Sequence, residues 1–222
     1  MAGALTAADV SDMEARWVTV ALAVTAIGLA ACGDDDDLTA SQATNGVPRS
    51  GAPDLDRFLM REGEEPGFRP GALPGAMPRT RETITGVEAL VKELGLTRAD
   101  AQRLRKEGFI SSTSGPIRGP RTAGITTVEA YETEEGAKHS QAHELRPDVI
   151  RGFGPVESLR YFTVSGVPRA RGWTASKPHV ANVSWVQGRC MLILGNQGPG
   201  RLAGPLSAGV RAIYARTNGE CP

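Results

Sequence analysis

His139 and His143 stand four residues apart in a stretch that reads as helical, so both imidazoles fall on one face, with Glu135 one turn earlier. That is the spacing of a metal-binding pair, and a hydrolytic metal there would need a third ligand. His179 is the remaining histidine, and nothing in the sequence places it nearby; Ser140 and Gln141 fill the positions that a His-Glu-x-x-His motif would need for its glutamate. The plainer reading of the pair is a solvated face on a polar helix. Arg169, Arg171 and Trp173 lie in one loop, 166–173, that also holds Pro168 and two glycines. Guanidinium groups there can grip an anion through charge-assisted hydrogen bonds, while an indole can stack on a sugar or base. The competing reading makes Trp173 the anchor of the loop to the core. No Gly-x-Ser-x-Gly is present, and residues 195–200 lack the lysine and Ser/Thr of a phosphate loop, with Pro199 removing an amide donor. No catalytic residue is assigned, and no cofactor is expected.

The cysteines divide by position. Cys32 ends an apolar run from Trp17 to Ala31 and is followed by Gly33 and the aspartates 34–37. Such a run suits the hydrophobic part of an export signal and falls short of the ~20 residues that span a bilayer. A core helix is rarely followed by four aspartates, and a membrane anchor would have Arg16 alone as its cytoplasmic charge. Leu29-Ala30-Ala31-Cys32 resembles the lipobox of bacterial lipoproteins. The resemblance implies a signal peptide over 1–31 and a diacylglyceryl group with palmitate-type acyl chains on Cys32. It also implies an anchored chain on the extracytoplasmic face of the cell membrane. Residues 1–12 carry Asp9 and Asp12 and no base, whereas Met13 opens Met-Glu-Ala-Arg-Trp, so translation is expected to start at Met13. In an exported chain the remaining even pair, Cys190 and Cys221, is expected to form a disulfide rather than two buried thiols.

The formal charge is zero, from 25 bases and 25 acids, but it is uneven. From Arg146 onward, nine arginines and Lys177 face only Asp148, Glu157 and Glu220. A basic half suits an anionic envelope component or a protein partner, and equally a solvated surface. No nucleic-acid recognition motif is present, and the lipid-bearing N-terminus makes the membrane the first partner.

The elements that must position these residues begin after a flexible tether, 32–53, which has almost no large apolar residue. An irregular Pro/Gly-rich segment, 54–82, precedes a domain over 83–222. Thr85 and Glu88 form a capping box for a helix carrying Val87, Leu90, Val91 and Leu94, with Gly95 as its stop. A second helix starts at Thr97 and ends at Gly108, and Phe109-Ile110 opens a short strand. Residues 125–131 form a strand and 133–145 a helix closed by Pro147. Another strand covers 159–164. Residues 180–186 and 189–194 flank Gln187-Gly188 as a hairpin. That register pairs Trp185 with Cys190, Val183 with Leu192 and Ala181 with Leu194, all on one face, which a last helix from Pro205 covers. The fold class expected is α+β, an antiparallel sheet with helices packed on one face. The 63–68 segment (Gly-Glu-Glu-Pro-Gly-Phe), Val167-Pro168-Arg169-Ala170 and residues 182–195 resemble uncharacterised extracytoplasmic lipoproteins of high-GC bacteria, a resemblance that implies no known activity. The expected function is a lipid-anchored, non-enzymatic binding or sensing domain. The alternatives are a metal-dependent hydrolase using His139 and His143, or a structural accessory lipoprotein.

Overall fold

In a computed structural model the described residues are 54–71, 81–152 and 156–221; the signal peptide, Cys32, the tether and part of the Pro/Gly-rich segment lie outside them. Eight strands make one antiparallel sheet: β1 (Arg69–Pro70), β2 (Glu82–Thr85), β3 (Phe109–Arg118), β4 (Ala123–Tyr131), β5 (Arg160–Thr163), β6 (Arg171–Ser176), β7 (His179–Gln187) and β8 (Cys190–Gln197). Their order is β1-β3-β4-β8-β7-β6-β5, with β2 also paired to β3. Five helices accompany them: α1 (Val87–Leu94), α2 (Arg98–Glu107), α3 (Glu134–Glu144), α4 (Pro147–Gly152) and α5 (Ala203–Arg216).

The expected α+β class with an antiparallel sheet is the architecture observed. The helices, however, are divided between the two faces. On one face Trp185, Val183, Cys190, Leu192 and Leu194 pack with Leu206, Val210 and Ile213 of α5. On the other, Val186, Met191 and Ile193 pack with Leu90 of α1, Leu104 of α2 and Ala137 of α3. The cause is legible in Cys-Met-Leu-Ile-Leu at 190–194: an unbroken apolar run on a strand demands cover on both sides.

The central hairpin forms two residues away from its expected register. Gln187 pairs with Cys190, Trp185 with Leu192 and Val183 with Leu194, so the turn is Gly188-Arg189. Gly188 takes φ +53° as the first turn residue, the position where a type II′ turn needs glycine. An even shift leaves every side chain on its expected face, which is why α5 still covers that face as anticipated.

Caps follow local chemistry with one correction. Thr97 and Asp100 form a full capping box on α2, and the Thr133 hydroxyl accepts from Gly136 N at 3.0 Å to start α3. Thr85 does not cap α1, because it closes β2 against Ser111; Gly86 is the N-cap, without a side-chain bond. Pro147 opens α4 instead of only closing α3. Gly136 is required by close approach, since a Cβ there would overlap the Glu107 carbonyl at the end of α2.

Strand β3 is much longer than its sequence reading, and β1, β2 and β6 are absent from it. β3 runs the full length from Phe109 to Arg118 through a Ser/Thr/Gly/Pro stretch. Paired on both edges, it turns hydroxyls into cross-strand contacts: Ser114 Oγ lies 3.0 Å from Thr127 Oγ1, and Thr113 Oγ1 lies 3.0 Å from Thr83 Oγ1. β6 occupies what reads as the end of a loop, held between β5 and β7. Residues 54–71 are mostly irregular, yet Leu55, Phe58, Leu59, Met60 and Phe68 belong to the core under α5. Arg216, in the last turn of α5, fastens this strap by pairing with Glu64 and donating to the carbonyls of Arg57 and Leu59.

Cys190 and Cys221 are joined as a disulfide, with Cα atoms 5.7 Å apart. Beside it runs a buried polar chain: Trp185 Nε1 donates to Gln187 Oε1 at 2.9 Å, and Gln187 Nε2 donates to Thr217 Oγ1 at 3.0 Å. Hairpin and C-terminus are thus tied covalently and by hydrogen bonds at the same place.

Candidate functional site

The two histidines of α3 occupy unlike surroundings. His139 is exposed and its Nε2 lies 3.2 Å from Glu135 Oε1. His143 is half-buried, and desolvation, helped by Arg103 and Arg146, pushes its pKa down to about 4. A divalent cation bound at that imidazole would stand beside the same two guanidinium groups. His179 opens β7 and pairs with Ser176. Among the described residues, no three His, Cys, Asp or Glu side chains are gathered to hold a metal ion.

The 166–173 segment is clamped rather than open. Gln141 of α3 donates to Arg169 O at 2.9 Å and to Ser184 O at 2.8 Å, stapling helix, loop and β7 together. Arg169 takes φ +59°, and its Nη1 pairs with Glu134 Oε1 at 2.9 Å. Trp173 is 6% exposed and packs with Ile150 and Ala175. The indole therefore anchors, as the second of its two sequence readings has it, and Arg169, Arg171 and Trp173 do not form one grip.

The exposed aromatic is instead Tyr161, cross-strand from Trp173 and 50% exposed. Its hydroxyl donates to Leu145 O at 3.1 Å, standing the ring against the end of α3. Arg171 pairs with Thr163, two residues along from Tyr161, so the two are diagonal neighbours on one face. Arg151 of α4 completes the group. Partial burial raises the Tyr161 pKa, with Arg151 opposing and Asp148 adding to the effect. Arg151, Tyr161 and Arg171 thus make a basic, aromatic patch at the β5 edge of the sheet. The sequence carried a signal for it: Tyr161 and Phe162 are adjacent on a period-two element, so they face opposite ways, and Phe162 takes the core side.

A cluster of buried titratable groups lies elsewhere, between α2, α3 and β4. Tyr131 donates to Glu129 Oε2 at 2.5 Å and lies 2.7 Å from Ser140 Oγ, all three buried. Arg103 Nη1 pairs with Glu107 Oε2 at 2.6 Å. Both carboxyl oxygens of Glu144 lack a partner among the described residues, as do Nε and Nη2 of Arg103. Burial raises the pKa of Glu107, Glu129 and, furthest, Glu144, whose proximity to Glu129 adds to it. Perturbed acids of this kind mark active sites when they line a cleft. Here Glu129 and Glu144 are 2% and 4% exposed, so burial disfavours their charged forms and they line no open cleft.

A groove of about 760 Å³ lies between residues 54–62 and the β1–β3 edge, lined by Arg57, Arg61 and Arg81 against Asp54, Asp56 and Glu62. Two of its walls, Gly71 and Arg81, are the ends of the stretch 72–80 outside the described residues, and no site is built on it.

No protein-family model matches the sequence, and no curated protein matches it. Among solved structures, the chain is similar to the extracellular domain of PknH from Mycobacterium tuberculosis, at 9% identity and a TM-score of 0.46, covering 76% of this chain and 97% of that one.

Proposed function

We propose that this is a lipid-anchored extracytoplasmic protein whose domain binds or senses a partner without catalysing a reaction. The observation that carries the reading is the disulfide between Cys190 and Cys221, which suits an oxidising compartment and so fits the lipobox at Cys32. The anchor is the Cys32 thiol, and the surface offered to a partner is the β5 edge with Arg151, Tyr161 and Arg171. Guanidinium groups without an ion pair among the described residues, beside an amphipathic ring, suit an anionic partner of the envelope, the arginines by charge and the ring by stacking. The metal-hydrolase alternative has no supporting geometry among the described residues, where guanidinium groups stand beside His143 and no third ligand joins the pair.

The test is metabolic labelling with a fatty acid in the native host. The wild-type chain incorporates label and is shortened at Cys32, whereas Cys32→Ser accumulates as an unlabelled precursor. Normal labelling and maturation of Cys32→Ser would overturn the reading.

A further inference from the structure

Glu65 sits in the strap of residues 54–71 and is fully buried, at 0% exposure. Its Oε1 accepts from Nδ2 of Asn196 on β8. Its other oxygen, Oε2, has no partner among the described residues, and neither has Asn196 Oδ1. Two buried acceptors left over from the same acid–amide contact call for one donor between them, because an unsatisfied buried acceptor costs about 1–3 kcal/mol. A carboxylate supplies no donor. A neutral carboxylic acid does: its O–H donates to the amide oxygen while its carbonyl accepts from the amide N–H, and both orphans vanish at once.

We propose that Glu65 is a proton-binding site, a neutral acid paired reciprocally with the Asn196 amide, and that this pair latches the 54–71 strap to the sheet until the proton is lost. The surroundings hold it neutral. Gly209 of α5 lets the helix close over the side chain, a Cβ there lying 3.1 Å from Glu65 Cβ, and Gly124 of β4 leaves room for the Asn196 amide. The two bases of α5 are placed otherwise: Arg216 holds Glu64 together with the Arg57 and Leu59 carbonyls, and Arg211 lies by Gly166. The neighbouring acid, Glu64, is neutralised by Arg216 and accepts from Arg61 N at 2.7 Å. No charge from β4, β8 or α5 bears on Glu65; burial alone raises its pKa, to about 7, against the lowering effect of the Asn196 hydrogen bond. The latch is therefore closed in acid and weakens as pH rises from the ordinary carboxyl range through about 7. The element it controls is the strap that joins the sheet to residues 1–53.

The test is hydrogen exchange of the full chain in detergent, read by mass spectrometry and corrected for the intrinsic pH dependence of exchange. Between pH 5.5 and 8.5 the opening constant of peptides within 55–70 rises about 30-fold, as linkage to a group moving from the ordinary carboxyl pKa to about 7 requires. Protection in α5 and β8 changes far less. In Glu65→Gln, which keeps donor and acceptor in the same places, the opening constant of 55–70 becomes independent of pH. The side-chain carboxyl carbon of Glu65, followed by NMR in the wild-type chain, titrates near 7. Pairing is overturned if that carbon titrates near its ordinary value, or if Glu65→Gln and the wild type show the same pH trend. A pH-independent strap in the wild type overturns the latch.

Discussion

At the scale of single residues, the buried acids between α2, α3 and β4 make the sharpest claim. Glu144 feels the charges of Glu129 from β4 and of Asp100, Arg103 and Glu107 from α2, while Tyr131 bridges Glu129 and Ser140. His139 and His143 stand on the same helix, His139 acting on Glu107 and His143 lying beside Arg103. One guanidinium cannot neutralise three enclosed carboxyls, so protons do the rest. A carboxyl whose folded pKa is raised contributes stability that is whole below its unfolded pKa and is lost as pH rises through the folded one. Folding stability is therefore expected to fall above about pH 4.5, with a slope of about 1.4 kcal/mol per pH unit for each such group in its window. Glu144→Gln, which keeps the shape of the neutral acid, removes one of these contributions. Urea unfolding at pH 5 and pH 8 is expected to show a smaller loss for Glu144→Gln than for the wild type. An equal loss in both would place the pH dependence elsewhere. Glutamates 129 and 144 gave no sign of this in the sequence, where acids are presumed solvated. Only the pairing of Glu129 with Met191 in the centre of the sheet shows that its side chain turns inward.

At the scale of elements, the C-terminal helix and the central hairpin behave as one unit. The loop closed by Cys190 and Cys221 spans 31 residues, and closing a loop of that size stabilises by about 3–4 kcal/mol in the chain-entropy model. Cys221→Ser is expected to lose about that much in denaturant unfolding. The spectral environment of Trp185 should stay native, because its hydrogen bond to Gln187 and the contact with Thr217 remain. A loss below about 1 kcal/mol would mean that this polar chain alone holds the C-terminus. This unit was legible beforehand because alternation and an apolar helix face agree over Val183, Trp185, Leu192 and Leu194. β3 was not, because its serines and threonines read as loop until neighbours on both edges give each hydroxyl a partner. The strap was missed for the opposite reason: Phe58 and Phe68 are plainly apolar, but nothing periodic announces a segment that enters the core without regular structure. β6 was hidden by the Arg-Gly-Trp spacing, which suggests a binding loop, whereas burial of Trp173 against Ile150 belongs to a strand.

At the scale of the whole molecule, the sheet has one end where α4, the edge strand β5 and its neighbour β6 present Arg151, Tyr161 and Arg171 outward, while the strap closes the face under α5. In the proposed reading, the tethered domain would meet its partner through this exposed edge. Replacing Arg151 and Arg171 together by Glu reverses two charges there without touching a buried contact. It is expected to leave the unfolding free energy within about 0.5 kcal/mol of wild type and to lower recovery of anionic envelope polymers on the immobilised protein at least tenfold. Unchanged recovery would remove the β5 edge from the account. The central claim, anchoring outside the cytoplasm, is tested most directly by intact-mass and peptide analysis of the protein purified from its host's membrane fraction. The expected result is a mature N-terminus at Cys32 carrying a diacylglyceryl group, together with a Cys190–Cys221 peptide that is oxidised before any reagent is added. A chain retaining residues 13–31 with an unmodified Cys32, or free thiols at Cys190 and Cys221, would contradict it.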